Sequence, residues 1–273
     1  MSSTLSHKNI SGHIAAIKYH AQVLGYDLDV SPFSRLYRLL RGIKRTQGAQ
    51  FKKPPRIPIT PPLLLSMGQN LWNSSYHFLD KSMLWAAMLT AFYGFLRVSE
   101  YTSPFVKSYD PATTLCYRDI QVISATHIKI HIKASKTDPF RSGVHLSIYA
   151  NNSPLCPIQA ILKFLHQHPT KSGPLFVWQD GRYLTRSGLA PALNRIKPKH
   201  LKNMSSHSFR IGAASTAAAA GYPRWLIQAL GRWSSNCFKD YIRIPDSTLT
   251  KVSCSLASLT SLACRPFDPD NLV

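Results

Sequence analysis

The segment "SSHSFRIGA" sets His207 and Arg210 three residues apart, so on a helix both side chains leave one face toward one site. Histidine moves a proton near neutral pH and arginine grips two oxygens of one phosphate, a pairing suited to phosphoryl transfer. The plainer alternative is a serine-capped helix with a surface His and Arg. Arg97, in "FYGFLRVSEY", stands at the polar end of the most hydrophobic helix pattern in the chain, with Glu100 one turn later as its anionic partner. The same pair reads as a simple ion pair at a helix end. Lys136 in "ASKTD" falls at a loop of a small sheet, either as a solvated turn lysine or as a general acid toward a leaving oxygen. Trp233 in "LGRW" brings a large ring and one N–H donor, fit to fill core or to brace a phosphate. Tyr241 ends the amphipathic stretch "LGRWSSNCFKDYIRI", as a buried helix residue or as a nucleophile.

The elements that must position these residues follow from the apolar pattern. Residues 9–24 carry Ile14, Ile17 and Leu24 at helical spacing, and residues 32–45 carry Leu36, Leu39 and Leu40 among basic residues. Both predict amphipathic helices with basic outer faces, the remainder of a small helical domain. "QGAQFKKPPRIPITPP", Gln47 to Pro62, is too rich in proline to continue a helix and is the best domain linker. Beyond it, Thr60 and Pro61 start a helix through Leu71, and Asp80 is expected to cap a core helix through Phe95.

"THIKIHIKASKTD" alternates, with Ile128, Ile130 and Ile132 on one face and Lys129, His131 and Lys133 on the other. With "LCYRDIQVIS" before it and "GVHLSIY" after it, this predicts a small antiparallel sheet with Lys136 at or near a hairpin. From Pro157 onward four helical patterns return, followed by the stretch that ends in Tyr241. The fold class is therefore mainly α with a small antiparallel β-sheet (α+β), with a partial helical domain at 1–55 and a second domain at 56–273.

Composition narrows the partners. Thirty-three Lys and Arg against 12 Asp and Glu give a formal charge of +21, spread along the chain, and a basic folded surface meets polyanions, nucleic acid first. A ribosomal-type or membrane-surface protein is the bland alternative. Five cysteines, widely spaced and without a C-x-x-C pair, favour reduced thiols inside a cell. "HQH" at His166–His168 has no Cys or acidic partner at ligand spacing, so no metal site is expected. The longest apolar run, Ser82–Leu96, is shorter than the roughly 20 residues of a membrane span. No signal peptide precedes it.

Arg97, Lys136, His207 and Arg210, Trp233 and Tyr241 occur in one order and in matching contexts, and on these residues the chain resembles the tyrosine recombinase, or phage-integrase, family. The resemblance covers roughly residue 56 to the end, and the preceding helices resemble the tail of the family's SAM-like core-binding domain. "GRWSSNCFKDYIR" is most similar to recombinases of eukaryotic mobile elements, such as DIRS-like retrotransposons and Cryptons.

The resemblance implies that Tyr241 is the nucleophile forming a covalent 3'-phosphotyrosyl link. It makes Arg97 and Arg210 the oxyanion-neutralising pair, with Glu100 supporting Arg97. His207 then positions or deprotonates reacting groups, Lys136 protonates the leaving oxygen, and Trp233 occupies the family's His or Trp position. Double-stranded DNA is the implied partner, four protomers on paired sites the implied assembly, and the nucleus the implied location. No metal, nucleotide or other cofactor is implied. A segment "STLTKVSCSLASLTSLA" has an apolar pattern suited to docking on a neighbour or packing on its own domain. Two other functions stay open: a decayed or domesticated recombinase that only binds DNA, and a basic RNA-binding or scaffold protein.

Overall fold

The computed structural model describes residues 5–28, 33–48, 54–243 and 250. The chain divides into two compact units, Met1–Pro55 and Arg56–Val273. The first holds α1 (His7–Val23) and α2 (Ser34–Gln47), packed on one another. The Ser6 hydroxyl caps α1 by accepting from the amide of Asn9 at 3.3 Å. Gln47 ties the pair together, accepting from the His7 amide at 2.6 Å and donating to the Leu5 carbonyl at 2.8 Å. Ile17, Leu24 and Leu39, expected to form the apolar stripes, are exposed, so this unit has little core of its own.

The second unit is built around α4 (Phe78–Tyr93), where every residue from Ser82 to Phe92 except Trp85 is buried. Such a helix has no polar face and must be covered all round. It packs against α3 (Pro61–Trp72), α6 (Pro157–Gln167) and α8 (His207–Ala219). The cap is His77, whose Nδ1 accepts from the amide of Leu79 at 3.2 Å, rather than Asp80. Asp80 instead lies in the first turn and accepts from the amide of Gln179 at 2.8 Å, a long-range bond that local sequence does not signal.

Strands β1 (Ile120–Ser124), β2 (His127–Ile132) and β3 (Val144–Tyr149) form one antiparallel sheet in sequential order. Ile128, Ile130 and Ile132 are buried on one face while Lys129 is exposed on the other, as the alternation predicts. Further along the chain lie two more helices, α7 (Arg186–Ile196) and α9 (Arg224–Leu230), and a 3-10 helix at Asn236–Tyr241. Among the described residues no helix is long and apolar enough to cross a membrane. His168 is buried, accepting from the Lys171 amide at 3.0 Å through Nδ1 and reaching the Leu175 carbonyl at 2.9 Å through Nε2. It holds a loop in place.

Two glycines set the approach of backbones around the later site. A Cβ at Gly212, on α8, would fall 1.9 Å from the Ile59 carbonyl oxygen, so only glycine lets the 56–59 segment lie on that helix. The Ile59 amide then donates to the Ser208 carbonyl at 3.0 Å. A Cβ at Gly231 would fall 1.7 Å from the Trp233 ring, so the ring folds back over bare backbone.

Candidate active site

The hydrophobic helix does not carry Arg97 on its end. Helix α4 stops at Tyr93 with Gly94 as C-cap, and Phe95 takes a left-handed backbone with φ 50°. Arg97 then becomes the N-cap of a new short helix, α5 (Val98–Tyr101). Glu100, its side chain fully buried, accepts from the Arg97 amide at 2.9 Å and from Arg97 Nη1 at 2.9 Å. The same carboxylate that forms the expected ion pair therefore also caps the backbone amide of Arg97, fixing backbone and side chain together.

A second arginine shares that carboxylate. Arg232 Nη2 donates to Glu100 Oε2 at 2.7 Å, and its Nη1 donates to the Gly94 carbonyl at 3.0 Å. Arg210 is fully buried, and its Nη1 and Nη2 donate to the carbonyls of Phe95 and Gly231. Both carbonyls belong to chain just past a helix end, of α4 and α9 respectively. Helix C-termini present unpaired carbonyls and a partial negative charge, so the buried Arg210 and the partly buried Arg232 find partners there. Burial lowers the pKa of both, that of Arg210 to about 10, which leaves Arg210 cationic at neutral pH.

Trp233 covers Arg210, with the guanidinium carbon 4.2 Å from the ring centroid. Tyr241 completes the cover, its ring 5.0 Å from that of Trp233 and 5.8 Å from the Arg210 guanidinium carbon. The Tyr241 ring is also 5.1 Å from the ring of His207, the first residue of α8. Burial, then the charges of Arg56, Arg210, Arg97 and Arg186, lower the His207 pKa from 6.5 to about 4. Its imidazole is neutral at pH 7 and can accept a proton.

The stretch "LGRWSSNCFKDYIRI" is thus not one amphipathic helix. Its last part is a 3-10 helix, capped by the Ser235 hydroxyl, which accepts from the amide of Cys237 at 3.4 Å. A 3-10 helix rises about 2.0 Å per residue against about 1.5 Å for an α-helix, so the few residues after Trp233 reach further. The Ser215 hydroxyl on α8 receives the end of this segment, donating to the Tyr241 carbonyl at 3.1 Å and accepting from the Arg243 amide at 2.9 Å.

Lys136 is exposed in the connection between β2 and β3 and lines a cleft of about 870 Å³ beside the cluster. Its neighbour Ser135 accepts from Arg97 Nη1 at 3.3 Å, so the loop and the first arginine are joined. Of the seven residues expected in the site, six gather in one connected network, and Lys136 stands at its margin on the hairpin side.

A comparison with protein-family models returns no match, and one with curated proteins returns none. Solved structures do match. The chain is similar to XerA recombinase over 94% of its own length and 84% of that chain, with a TM-score of 0.53 at 14% identity. It is similar to the Tn1549 transposon integrase in complex with a circular intermediate DNA over 96% of itself and 81% of that chain, with a TM-score of 0.53 at 16% identity. The fold is that of the tyrosine recombinase catalytic domain. A post-cleavage complex of the XerH site-specific recombinase, bound to palindromic difH substrate, also matches at TM-score 0.53 and 16% identity; the chain spans 55% of the XerH chain.

Within this recombinase-type fold, Arg232, Ser215, Arg56 and Arg186 were not foreseen from sequence. Arg232 sits in "LGRW" as one more basic residue of a basic chain, and only its left-handed backbone, φ 53°, sends its side chain inward to Glu100. A basic residue directly after a helix-ending glycine was the available signal. The segment "STLTKVSCSLASLTSLA", apart from Thr250, and Cys254 and Cys264 lie outside the described residues.

Proposed function

We propose that the protein is a tyrosine-type DNA strand transferase, a recombinase or integrase that cuts and rejoins DNA through Tyr241. The observation that carries this reading is the convergence of His207, Trp233 and Arg210 on one tyrosine ring, at 5.1, 5.0 and 5.8 Å. In the proposed step the Tyr241 oxygen attacks a scissile phosphorus while its proton passes to neutral His207. The bond from phosphorus to the 5'-oxygen breaks, Lys136 protonates that oxygen, and a 3'-phosphotyrosyl link remains for rejoining. Arg97 faces the non-bridging oxygens with the nitrogens that Glu100 and Ser135 leave free, and Arg210 adds positive charge from beneath the tyrosine. The chemistry uses no metal or nucleotide cofactor.

Double-stranded DNA is the proposed partner, held by the basic surface of a chain of formal charge +21 and released by salt. The sequence resemblance extends the proposal to a mobile-element recombinase of eukaryotic type, acting in the nucleus as four protomers on paired sites, with 1–55 as part of a core-binding domain.

A binding-only protein is the second reading. Arg210 favours it, being fully buried with both terminal nitrogens given to backbone carbonyls. The test is a nicked suicide duplex carrying the candidate element ends. A denaturant-resistant protein–DNA adduct that disappears in Tyr241→Phe supports strand transfer; binding without adduct in the wild type selects the second reading.

A further inference from the structure

The 870 Å³ cleft beside the cluster is bounded by α5, by the loop that follows β2 and by the first turn of α7. Three cations line it: Lys136, Arg141 and Arg186, all exposed. Hydroxyl groups of Ser99, Ser135 and Ser187 are among the others. One acid, Asp138, is in the lining, and it is already engaged. Its two carboxylate oxygens accept from the amides of Ser142 at 3.1 Å and Gly143 at 2.8 Å, which shapes the loop. Asp110 is near enough for Arg141 to help lower its pKa, behind the hydrogen bonds from Ala112 and Thr113, yet it forms no ion pair with Arg141. Among the described residues the four ion pairs use other cations, namely Arg97, Lys133, Arg182 and Arg232.

A cleft whose three cations form no ion pair among the described residues, and which also offers hydroxyls, is complementary to an anion that accepts several hydrogen bonds. Two residues connect it to the tyrosine cluster. Ser135 lines the cleft and accepts from Arg97, and Arg186 lines the cleft while lying close enough to His207 to act on its charge. The anion in the cleft is therefore a neighbour of whatever Tyr241 attacks.

We propose that this cleft is a second phosphate subsite, in which Arg186 and Arg141 bind a phosphodiester flanking the scissile one on the same strand. The inference rests on the DNA reading given above and adds a place where the backbone is gripped beside the reacting phosphate. Arg186 is the positioning residue of the pair, since a strand fixed on it cannot slide relative to His207 and Tyr241.

The test uses the full chain as Tyr241→Phe, so that no cleavage intervenes, and a fluorescein-labelled 30-base-pair duplex of random sequence. Binding is measured by anisotropy across a salt series. Each phosphate contact contributes about 0.9 to the slope of log affinity against log salt, so Arg186→Gln and Arg141→Gln should each lower the slope by about that amount. Arg182→Gln, whose cation is already paired with Asp180 at 2.7 Å, should leave it unchanged. In parallel, phenylglyoxal modification read by mass spectrometry should show Arg186 and Arg141 protected by the duplex at low salt and open at high salt. Slopes equal to the parent protein, or no protection of these two arginines, overturn the subsite even if a Tyr241 adduct forms. Lower slopes with no adduct in the Tyr241 protein leave the subsite standing and remove strand transfer. Failure to bind the duplex at low salt overturns both.

Discussion

Trp233 covers Arg210: its ring centroid is 4.2 Å from the guanidinium carbon, and both side chains are buried. Such a contact supplies both dispersion and cation–π attraction. The indole nitrogen has no hydrogen-bond partner among the described residues. Trp233→Phe should therefore be tolerated, whereas Trp233→Ala opens a cavity over a charge and should cost about 3–5 kcal/mol in urea denaturation.

Glu100 holds Arg97 and Arg232 at once, with its own side chain fully buried. Removing one partner of a buried ion pair leaves uncompensated charge and costs about 3–5 kcal/mol. Glu100→Ala should lower stability by that order. Glu100→Gln should fold better but lose adduct formation, because Arg97 is no longer held by a charge; a stable Gln variant with full activity would contradict this role.

His207 carries a pH dependence of defined sign. Its folded pKa is about 4 against 6.5 for the free side chain, so between these values the unfolded chain binds more protons. Stability contributed by this group is full above 6.5 and lost as pH falls toward 4. Unfolding free energies of the parent and His207→Gln, compared across that window, should converge as pH drops. The same neutral imidazole should let adduct formation persist at mildly acidic pH in the parent protein.

Ser215 is the latch of the nucleophile, bonded to the Tyr241 carbonyl and the Arg243 amide. A lost hydrogen bond is worth about 1 kcal/mol. Ser215→Ala should slow adduct formation by roughly fivefold, since about 1.4 kcal/mol corresponds to a full factor of ten. DNA affinity should not move, and equal losses in binding and rate would place Ser215 in the fold rather than in the chemistry.

What sequence made legible was whatever local chemistry or periodicity determines. The alternation of Ile128, Ile130 and Ile132 specified β2 and its buried face, and "HSFR" placed His207 and Arg210 on one helix. Long-range geometry was hidden. Asp80 gave up its capping role because a distant amide, Gln179, was within reach, and no pattern around either residue says so. Arg232 turned inward because a left-handed backbone at 232 redirected a side chain that composition assigns to solvent. Arg186 looks like the first residue of an ordinary helix until α7 is seen to border the Lys136 cleft. The 3-10 form of Asn236–Tyr241 was masked by a pattern of apolar residues that also suits an α-helix.

The Trp233 ring occupies the space where a side chain at Gly231 would begin, 1.7 Å from the missing Cβ. The two positions therefore behave as a single locus. In a randomised library, any larger residue at 231 would survive only alongside a shrunken one at 233, and a tryptophan at 233 would be recovered only on a glycine background. Drift at 231 alone is closed, so a lineage that first exchanged this tryptophan for a smaller residue would be the one free to lose the glycine.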